Sequence, residues 1–211
     1  MRLRDGDLLS VDSTDVKPTR SLPLAAGLLF TALPASAHLV STGFGPVYDG
    51  IAHFALTPEQ FLPMVALALL AGLRGPVHAR RLLFLLPPAW LVAFLAAIAP
   101  PALAPLVAAL ALLLAGVLLA SDAKFPPAVV VGLALVFGLA LGAVYGTPAD
   151  SPGLLGAVGA CAGVFVVLAL PASVSLPLRA PAARIAVRVG GSWTAALGLL
   201  LVGWWVHGHW S

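Results

Sequence analysis

The stretch Gly50–Gly72, GIAHFALTPEQFLPMVALALLAG, decides the fold, because an apolar helix begins there beside several polar side chains. Thr57 precedes Pro58, and Gln60 follows three residues after the threonine. This pattern is typical of a helix start with a threonine N-cap, proline at the first helical position and a capping-box partner. Glu59, the only glutamate of the chain, would then lie at the positive end of the helix dipole, where a carboxylate is favoured.

The predicted helix is short for a membrane. Pro58–Leu73 would extend roughly 24 Å at 1.5 Å per residue, whereas a bilayer core is about 30 Å thick. Residues 48–56 would fill the remaining depth, which predicts a broken first span. Pro63 cannot donate to the Glu59 carbonyl and leaves that oxygen without its helical partner. Two interpretations stay open: the polar residues cap a helix at the interface, or they form a site together with His53.

Composition identifies the class of protein. The chain is 61% hydrophobic and 9% charged, with a mean hydropathy of +1.05, which excludes a soluble domain and indicates a polytopic, all-α transmembrane bundle. The basic residues lie between apolar runs, so they are topology signals rather than a nucleic-acid surface. A single cysteine gives no disulfide framework. The apolar segments offer almost no serine, so we expect no intramembrane protease and no enzyme.

The N-terminal region has the organisation of a secretory signal. Leu22–Leu33 is apolar and Ala35-Ser36-Ala37 is an A-x-A cleavage site, so residues 1–37 are predicted to be a signal peptide with a polar N-terminal extension. Residues 38–211 would form one transmembrane domain. Cleavage would expose His38, whose terminal amine and imidazole together suit chelation of a transition metal; the alternative is that any tolerated residue stands there.

Six apolar segments predict six spans, at roughly 58–73, 82–99, 102–120, 127–146, 153–171 and 192–206. If the mature N-terminus is outside, the connections 74–81, 121–126 and 172–191 are cytoplasmic. These three connections hold every basic residue of the mature chain: Arg74, Arg80, Arg81, Lys124, Arg179, Arg184 and Arg188. The positive-inside rule therefore predicts a bacterial inner-membrane protein with both mature termini outside.

This orientation places most of the histidines outside, beside the tail Trp204–Trp210, which is typical of an interfacial aromatic belt. Imidazole is the commonest side-chain metal ligand. Asp49 lies four residues before His53, on the same face of a helix if that segment is helical. The candidate metal ligands are His38, Asp49, His53, Glu59, Gln60, His207 and His209. For the tail histidines, an interfacial position without a ligand is the alternative.

Glycines repeat every fourth residue in two later segments. The repeats are Gly138-x-x-x-Gly142-x-x-x-Gly146 and Gly159-x-x-x-Gly163. Such ridges let helices approach closely in a membrane, so we expect them to be packing surfaces.

The layout resembles the HupE/UreJ family of membrane proteins: a signal peptide ending before His38, a glycine-rich lead, then Gly50-Ile51-Ala52-His53 entering an apolar helix followed by five more. The family's first-helix pattern is H-P-x-x-G-x-D-H. His53 keeps its first histidine and Glu59 takes its aspartate position. The remaining positions depart from the pattern, with Phe54, Thr57 and Gln60 replacing proline, glycine and the second histidine.

The resemblance implies a nickel or cobalt permease, in a family associated with hydrogenase and urease gene clusters. Oxygen and imidazole donors together suit Ni²⁺, Co²⁺ or Zn²⁺ as substrate better than Cu(I), which prefers sulfur. The alternative is a non-transporting accessory or assembly subunit that packs on a membrane protein through its glycine-rich faces. The expected partners are membrane lipid, a metal ion, and a membrane protein or second copy of the chain, but no nucleic acid.

Overall fold

In the computed structural model the chain divides into an N-terminal segment, Met1–Ser36, and a helical unit, Ala37–Ser211. The structure describes residues 42–96, 100–145, 153–178 and 180–210, all within the second unit. The predicted signal peptide, His38 and Arg179 lie outside the described residues. Within the described residues the fold is all-helical and contains no strand, as composition predicted.

Seven α-helices make up the described part of the chain: α1 Pro46–Ala55, α2 Pro58–Arg74, α3 Pro76–Ala96, α4 Ala104–Ala120, α5 Pro127–Tyr145, α6 Gly153–Ser175 and α7 Pro181–Trp210. A 3-10 turn, Pro101–Leu103, leads into α4. Five of the helices begin with proline. Proline suits the first helical position because the N–H it lacks would have no intrahelical partner there.

Four of these helices, α3, α5, α6 and α7, are long and apolar enough to cross a membrane. The bent pair α1 and α2 would make a fifth span if counted as one, and α4 is apolar but shorter. The described residues therefore have the character of a membrane protein with four or five such elements, whereas six spans were predicted.

Two of the predicted cytoplasmic connections are mostly helical. Gly75 alone separates α2 from α3, and its φ of 108° is a left-handed value that glycine adopts without steric cost. Arg80 and Arg81 therefore lie in α3, and Arg184 and Arg188 lie in α7. Hydropathy placed them in loops because arginine ends an apolar run, yet arginine is a good helix former.

Glycines set the closest helix contacts. A Cβ built at Gly142 would overlap the Trp90 carbonyl oxygen, and one at Gly138 would lie 2.8 Å from the Leu86 carbonyl oxygen, so α5 packs on α3 through both residues. Gly159 packs in the same way against the Val47 backbone of α1. The predicted glycine ridges are confirmed as packing surfaces at Gly138, Gly142 and Gly159, while Gly146 lies outside the described residues. These glycines therefore contact other helices of the same chain.

A second glycine contact, which the sequence analysis missed, joins α4 to α7. A Cβ built at Gly116 would overlap the Ala195 backbone, and one at Gly198 would overlap the Leu113 backbone. The pairing runs antiparallel, because the residue numbers rise along one helix as they fall along the other. We call these two helices the α4–α7 pair.

The helix directions define two ends of the bundle. At the arginine end, α2 finishes with Arg74, α7 begins near Arg184, and both side chains bind Asp122 in the connection between α4 and α5. The predicted cytoplasmic connections are thus brought together at one end. At the opposite end, which we call the cavity end, α2 and α4 begin while α5 and α7 finish.

Candidate functional site

The site is built around the break between α1 and α2. The two helices are bent by 74° at Leu56 and Thr57. The Thr57 amide donates to the Phe54 carbonyl at 3.3 Å, which leaves the His53 carbonyl without its usual helical donor. The Thr57 hydroxyl takes that place, donating to the His53 carbonyl at 2.7 Å. The break is therefore a closed, hydrogen-bonded corner.

The predicted capping box is wrong, although α2 does begin at Pro58 and Thr57 does occupy the N-cap position. The Thr57 side chain makes no cap hydrogen bond to α2, because the end of α1 offers a competing acceptor. Gln60, the expected reciprocal partner, is instead buried with 4% of its surface exposed.

A cavity of about 540 Å³ lies beside this corner. Five helix ends surround it: the end of α1 and the start of α2 at the break, the start of α4, and the ends of α5 and α7. Four predicted site residues line it, namely His53, Glu59, Gln60 and His209. No Lys or Arg of the described residues lines this cavity, so its one carboxylate faces imidazoles, amides and aromatic rings.

Tyr145, the last residue of α5, forms part of the cavity wall. Its hydroxyl donates to the Gly50 carbonyl at 3.3 Å, and its ring meets the His53 imidazole edge-on with centroids 5.0 Å apart. Trp90 and Phe94 pack behind it, at 5.0 and 5.9 Å between ring centroids. Tyr145 thus fixes the position of α1 and of the His53 ring, a role the sequence analysis missed.

Gln60 supplies a buried acceptor beside the cavity. Its Oε1 has no hydrogen-bond partner among the described residues. Leaving a buried polar atom unpaired costs about 1–3 kcal/mol. A cation or a water molecule held in the cavity would satisfy this oxygen.

His209 is oriented by its own helix. Its Nδ1 lies 2.8 Å from the Trp205 carbonyl oxygen. Because a carbonyl only accepts, Nδ1 carries the hydrogen, and in the neutral ring Nε2 keeps the lone pair. The imidazole also stacks on the Trp205 ring with centroids 4.0 Å apart. Metal-binding histidines are commonly held through one nitrogen in this way.

Trp205 anchors this wall of the cavity. Its Nε1 donates to the Ala102 carbonyl at 3.4 Å, which ties the end of α7 to the turn before α4. Two tryptophans of the predicted aromatic tail line the cavity. Trp204 is also 77% exposed, while Trp205 positions His209.

Among the described residues, two predicted ligands, Asp49 and His207, do not line this cavity. The Asp49 carboxylate accepts from the Thr42 amide at 2.6 Å and from the Thr42 hydroxyl at 2.7 Å, so it closes the turn before α1. His207 is exposed and does not line the cavity, because residues two apart on a helix point roughly 200° apart. His38 lies outside the described residues.

The donors that do converge are spread around the cavity. Within the residues that the structure describes, no group of three or more His, Cys, Asp or Glu side chains is arranged to hold a metal ion. The lining therefore offers single contacts from several helices rather than one compact set of ligands.

Comparisons of this chain with protein-family models, with curated proteins and with solved structures found no match. The site is therefore interpreted from its own chemistry, and the HupE/UreJ resemblance remains a hypothesis from the sequence.

Proposed function

We propose that this protein is a HupE/UreJ-like permease for a divalent transition metal in the bacterial inner membrane, and that the metal enters through the cavity. One observation supports the proposal above all. The cavity at the broken helix gathers His53, Glu59 and His209 from two distant parts of the chain. It does so at the end of the bundle opposite to Arg74 and Arg184.

The chemistry of the corner suits a cation. The C-terminal ends of α5 and α7 border the cavity, and a helix C-terminus carries a partial negative charge that attracts cations. Glu59 adds a full negative charge, and Gln60 adds an unpaired oxygen. Such a combination of helix ends and oxygen atoms holds ions in transporters with broken helices. Imidazole with carboxylate favours Ni²⁺, Co²⁺ or Zn²⁺ over Cu(I).

The size of the cavity allows the ion to enter with water. Six water molecules occupy about 180 Å³ at about 30 Å³ each, and the cavity measures about 540 Å³. A metal ion can therefore reach the lining donors before it loses its hydration shell.

The proposal includes six spans, with α1 and α2 forming the first and α4 a short third. The arginine end faces the cytoplasm, as the positive-inside rule requires, and the cavity end and both mature termini face outward. Single-cysteine variants Arg80→Cys and His209→Cys, each in a Cys161→Ala background, test this arrangement. A membrane-impermeant maleimide should label only His209→Cys in intact spheroplasts. Equal labelling of the two would refute the orientation.

Transport is tested with purified protein in liposomes that enclose a Ni²⁺-sensitive dye. The unmodified protein should admit Ni²⁺, whereas the double variant Glu59→Gln with His53→Ala should not. Asp49→Asn is the matched control, because it neutralises a nearby acid whose carboxylate closes the turn before α1. Equal uptake by the unmodified protein and the double variant would reject the permease.

A further inference from the structure

The two ends of the bundle differ in how α2 meets the α4–α7 pair. At the cavity end, α2 and the pair stand apart and line the cavity from different sides. At the arginine end they are joined through charged side chains. The protein is therefore open at one end and closed at the other.

One aspartate and two arginines make this closure. We call these three residues the Asp122 clasp: Arg74, Asp122 and Arg184. The Arg74 guanidinium binds Asp122 Oδ1, and Arg184 Nη2 lies 2.8 Å from Asp122 Oδ2. Both carboxylate oxygens are thus engaged, one by α2 and the other by α7. Charge-assisted hydrogen bonds of this kind are about twice as strong as neutral ones.

Backbone contacts reinforce the clasp. Arg74 Nε donates to the Ala123 carbonyl at 2.9 Å, and Arg188 Nε donates to the Ala120 carbonyl at 2.9 Å. Asp122 itself has a φ of 49°, in the left-handed region that few residues other than glycine occupy. Its partial burial opposes ionisation, but Arg74 and Arg184 outweigh that effect and hold the pKa of the Asp122 carboxyl below its usual value.

An apolar seal lies beside the clasp. His78 Nε2 contacts the Phe125 carbonyl at 3.2 Å, joining the start of α3 to the connection before α5. A void of only about 10 Å³ remains there, between α2, α3 and α5, lined by Leu67, Leu70, Ala71, Leu82, Phe125, Val130 and Leu133. The large cavity also borders α2 and α5, so both spaces lie along the same two helices.

We propose that the Asp122 clasp is the inner gate, which keeps the arginine end shut while the cavity end is open. This inference rests on the proposed transport function. When the clasp releases, the α4–α7 pair moves away from α2 at the arginine end and closes on it at the cavity end. Phe125 follows Asp122 in the same connection and lines the small void, so it moves with the released connection and the void widens toward the cytoplasm. An ion bound near Glu59 then gains a route inward along α2 and α5.

Cysteine reactivity tests the gate without requiring transport. In a Cys161→Ala background, Val130→Cys reports the small void and Ala108→Cys reports the cavity; both positions are buried, at 1% and 3% exposure. A charged maleimide is added to the purified protein in mild detergent. With the clasp intact, Ala108→Cys should react because it lines the cavity of about 540 Å³, and Val130→Cys should be protected because it lines a void of only about 10 Å³.

Adding Asp122→Asn should reverse this pattern. Val130→Cys should react at least about fivefold faster and Ala108→Cys should slow, since coupling between two states is typically 5–150-fold. Arg184→Ala removes one of the two ion pairs of Asp122, at a side chain that is 38% exposed. If Asp122→Asn fails to fold, Arg184→Ala should change the two labelling rates in the same directions. Lys124→Gln, which removes a charge from the same connection outside the clasp, should leave both rates unchanged.

The outcomes separate the gate from the permease. If Val130→Cys stays protected in folded Asp122→Asn and Arg184→Ala, or if both reporters speed up together, the clasp is not a gate. The permease is judged independently by whether Ni²⁺ slows labelling of Ala108→Cys. Reciprocal labelling without any Ni²⁺ effect would reject the permease and support the gate.

Discussion

Asp122 and Glu59 mark opposite ends of the same bundle, and their surroundings could hardly differ more. Asp122 has both oxygens bound by arginines that come from α2 and α7. Glu59 lines a cavity to which the described residues contribute no Lys or Arg. A carboxylate at low dielectric needs a positive partner. At one end the chain supplies that partner through Arg74 and Arg184, and the other end is where we propose that an ion from solution binds.

The α3–α5 contact behind Tyr145 should show the largest effect, because backbone meets backbone there. Gly142→Ala would drive a methyl group into the Trp90 carbonyl and displace the support behind Tyr145. We expect a loss of about 2–3 kcal/mol of stability, as for overpacked cores, measured as a lower Tm in mild detergent. Gly132→Ala on the same helix is the control, since a Cβ at Gly132 meets nothing within 4 Å. Equal losses from both would contradict the α3–α5 packing.

Neutralising the two acids separates their roles. Asp122→Asn leaves Arg74 and Arg184 without a counterion, so we expect a loss of about 1–2 kcal/mol and a Tm lower by several degrees. Glu59→Gln should leave the Tm unchanged or raise it, because no arginine of the described residues depends on Glu59. If Glu59→Gln destabilised the protein as much as Asp122→Asn, the division between a structural acid and an ion-binding acid would fail.

Acid pH should remove the contribution of Asp122 without mutation. The pKa of Asp122 is lower in the folded protein than its ordinary value because Arg74 and Arg184 favour the charged form. Its stabilisation is therefore complete above about pH 4, the ordinary aspartate pKa, and is lost as the pH falls through the folded value. The Tm difference between the unmodified protein and Asp122→Asn should be constant from pH 7 to pH 5 and shrink near pH 3. A Tm difference that grew on acidification would contradict a lowered pKa of Asp122 in the folded protein.

The smallest effect should distinguish the two histidines at the end of α7. His209→Ala removes a proposed ligand whose ring is held through Nδ1, so the affinity for Ni²⁺ should fall about fivefold, equivalent to about 1 kcal/mol. His207→Ala, on a different face of α7, should leave the affinity unchanged. Isothermal titration of each variant with Ni²⁺ provides the measurement. Equal losses of Ni²⁺ affinity in the two variants would indicate that both imidazoles bind the ion.

Local patterns were sufficient for much of the fold. Pro58 marked the start of α2, and the glycine spacing marked the faces around Gly142. The shared end of Arg74 and Arg184 followed from charge alone. These features depend on neighbours in sequence or on a single physical asymmetry, so one chain is enough to predict them.

Side-chain partners were harder to predict because they come from distant parts of the chain. The Tyr145 hydroxyl donates to the Gly50 carbonyl, 95 residues away in the sequence. The apolar sequence of α5 contains no pattern that predicts this contact. Asp49 was assigned to the metal, but its Oδ1 accepts hydrogen bonds from the amide and the hydroxyl of Thr42. His207 could have been separated from His209 by helical periodicity, had the tail been treated as a continuation of α7.

The length of α7 has a mechanical consequence. Its 30 residues form one unbroken rod of about 45 Å, with Arg184 near one tip and His209 near the other. Its glycine contacts with α4 lie between these tips and can serve as a fulcrum. A tilt of roughly 10° about the middle would carry His209 through roughly 4 Å. Such a tilt would let the loss of the ion pair at Arg184 change the position of His209 on the far side of the membrane.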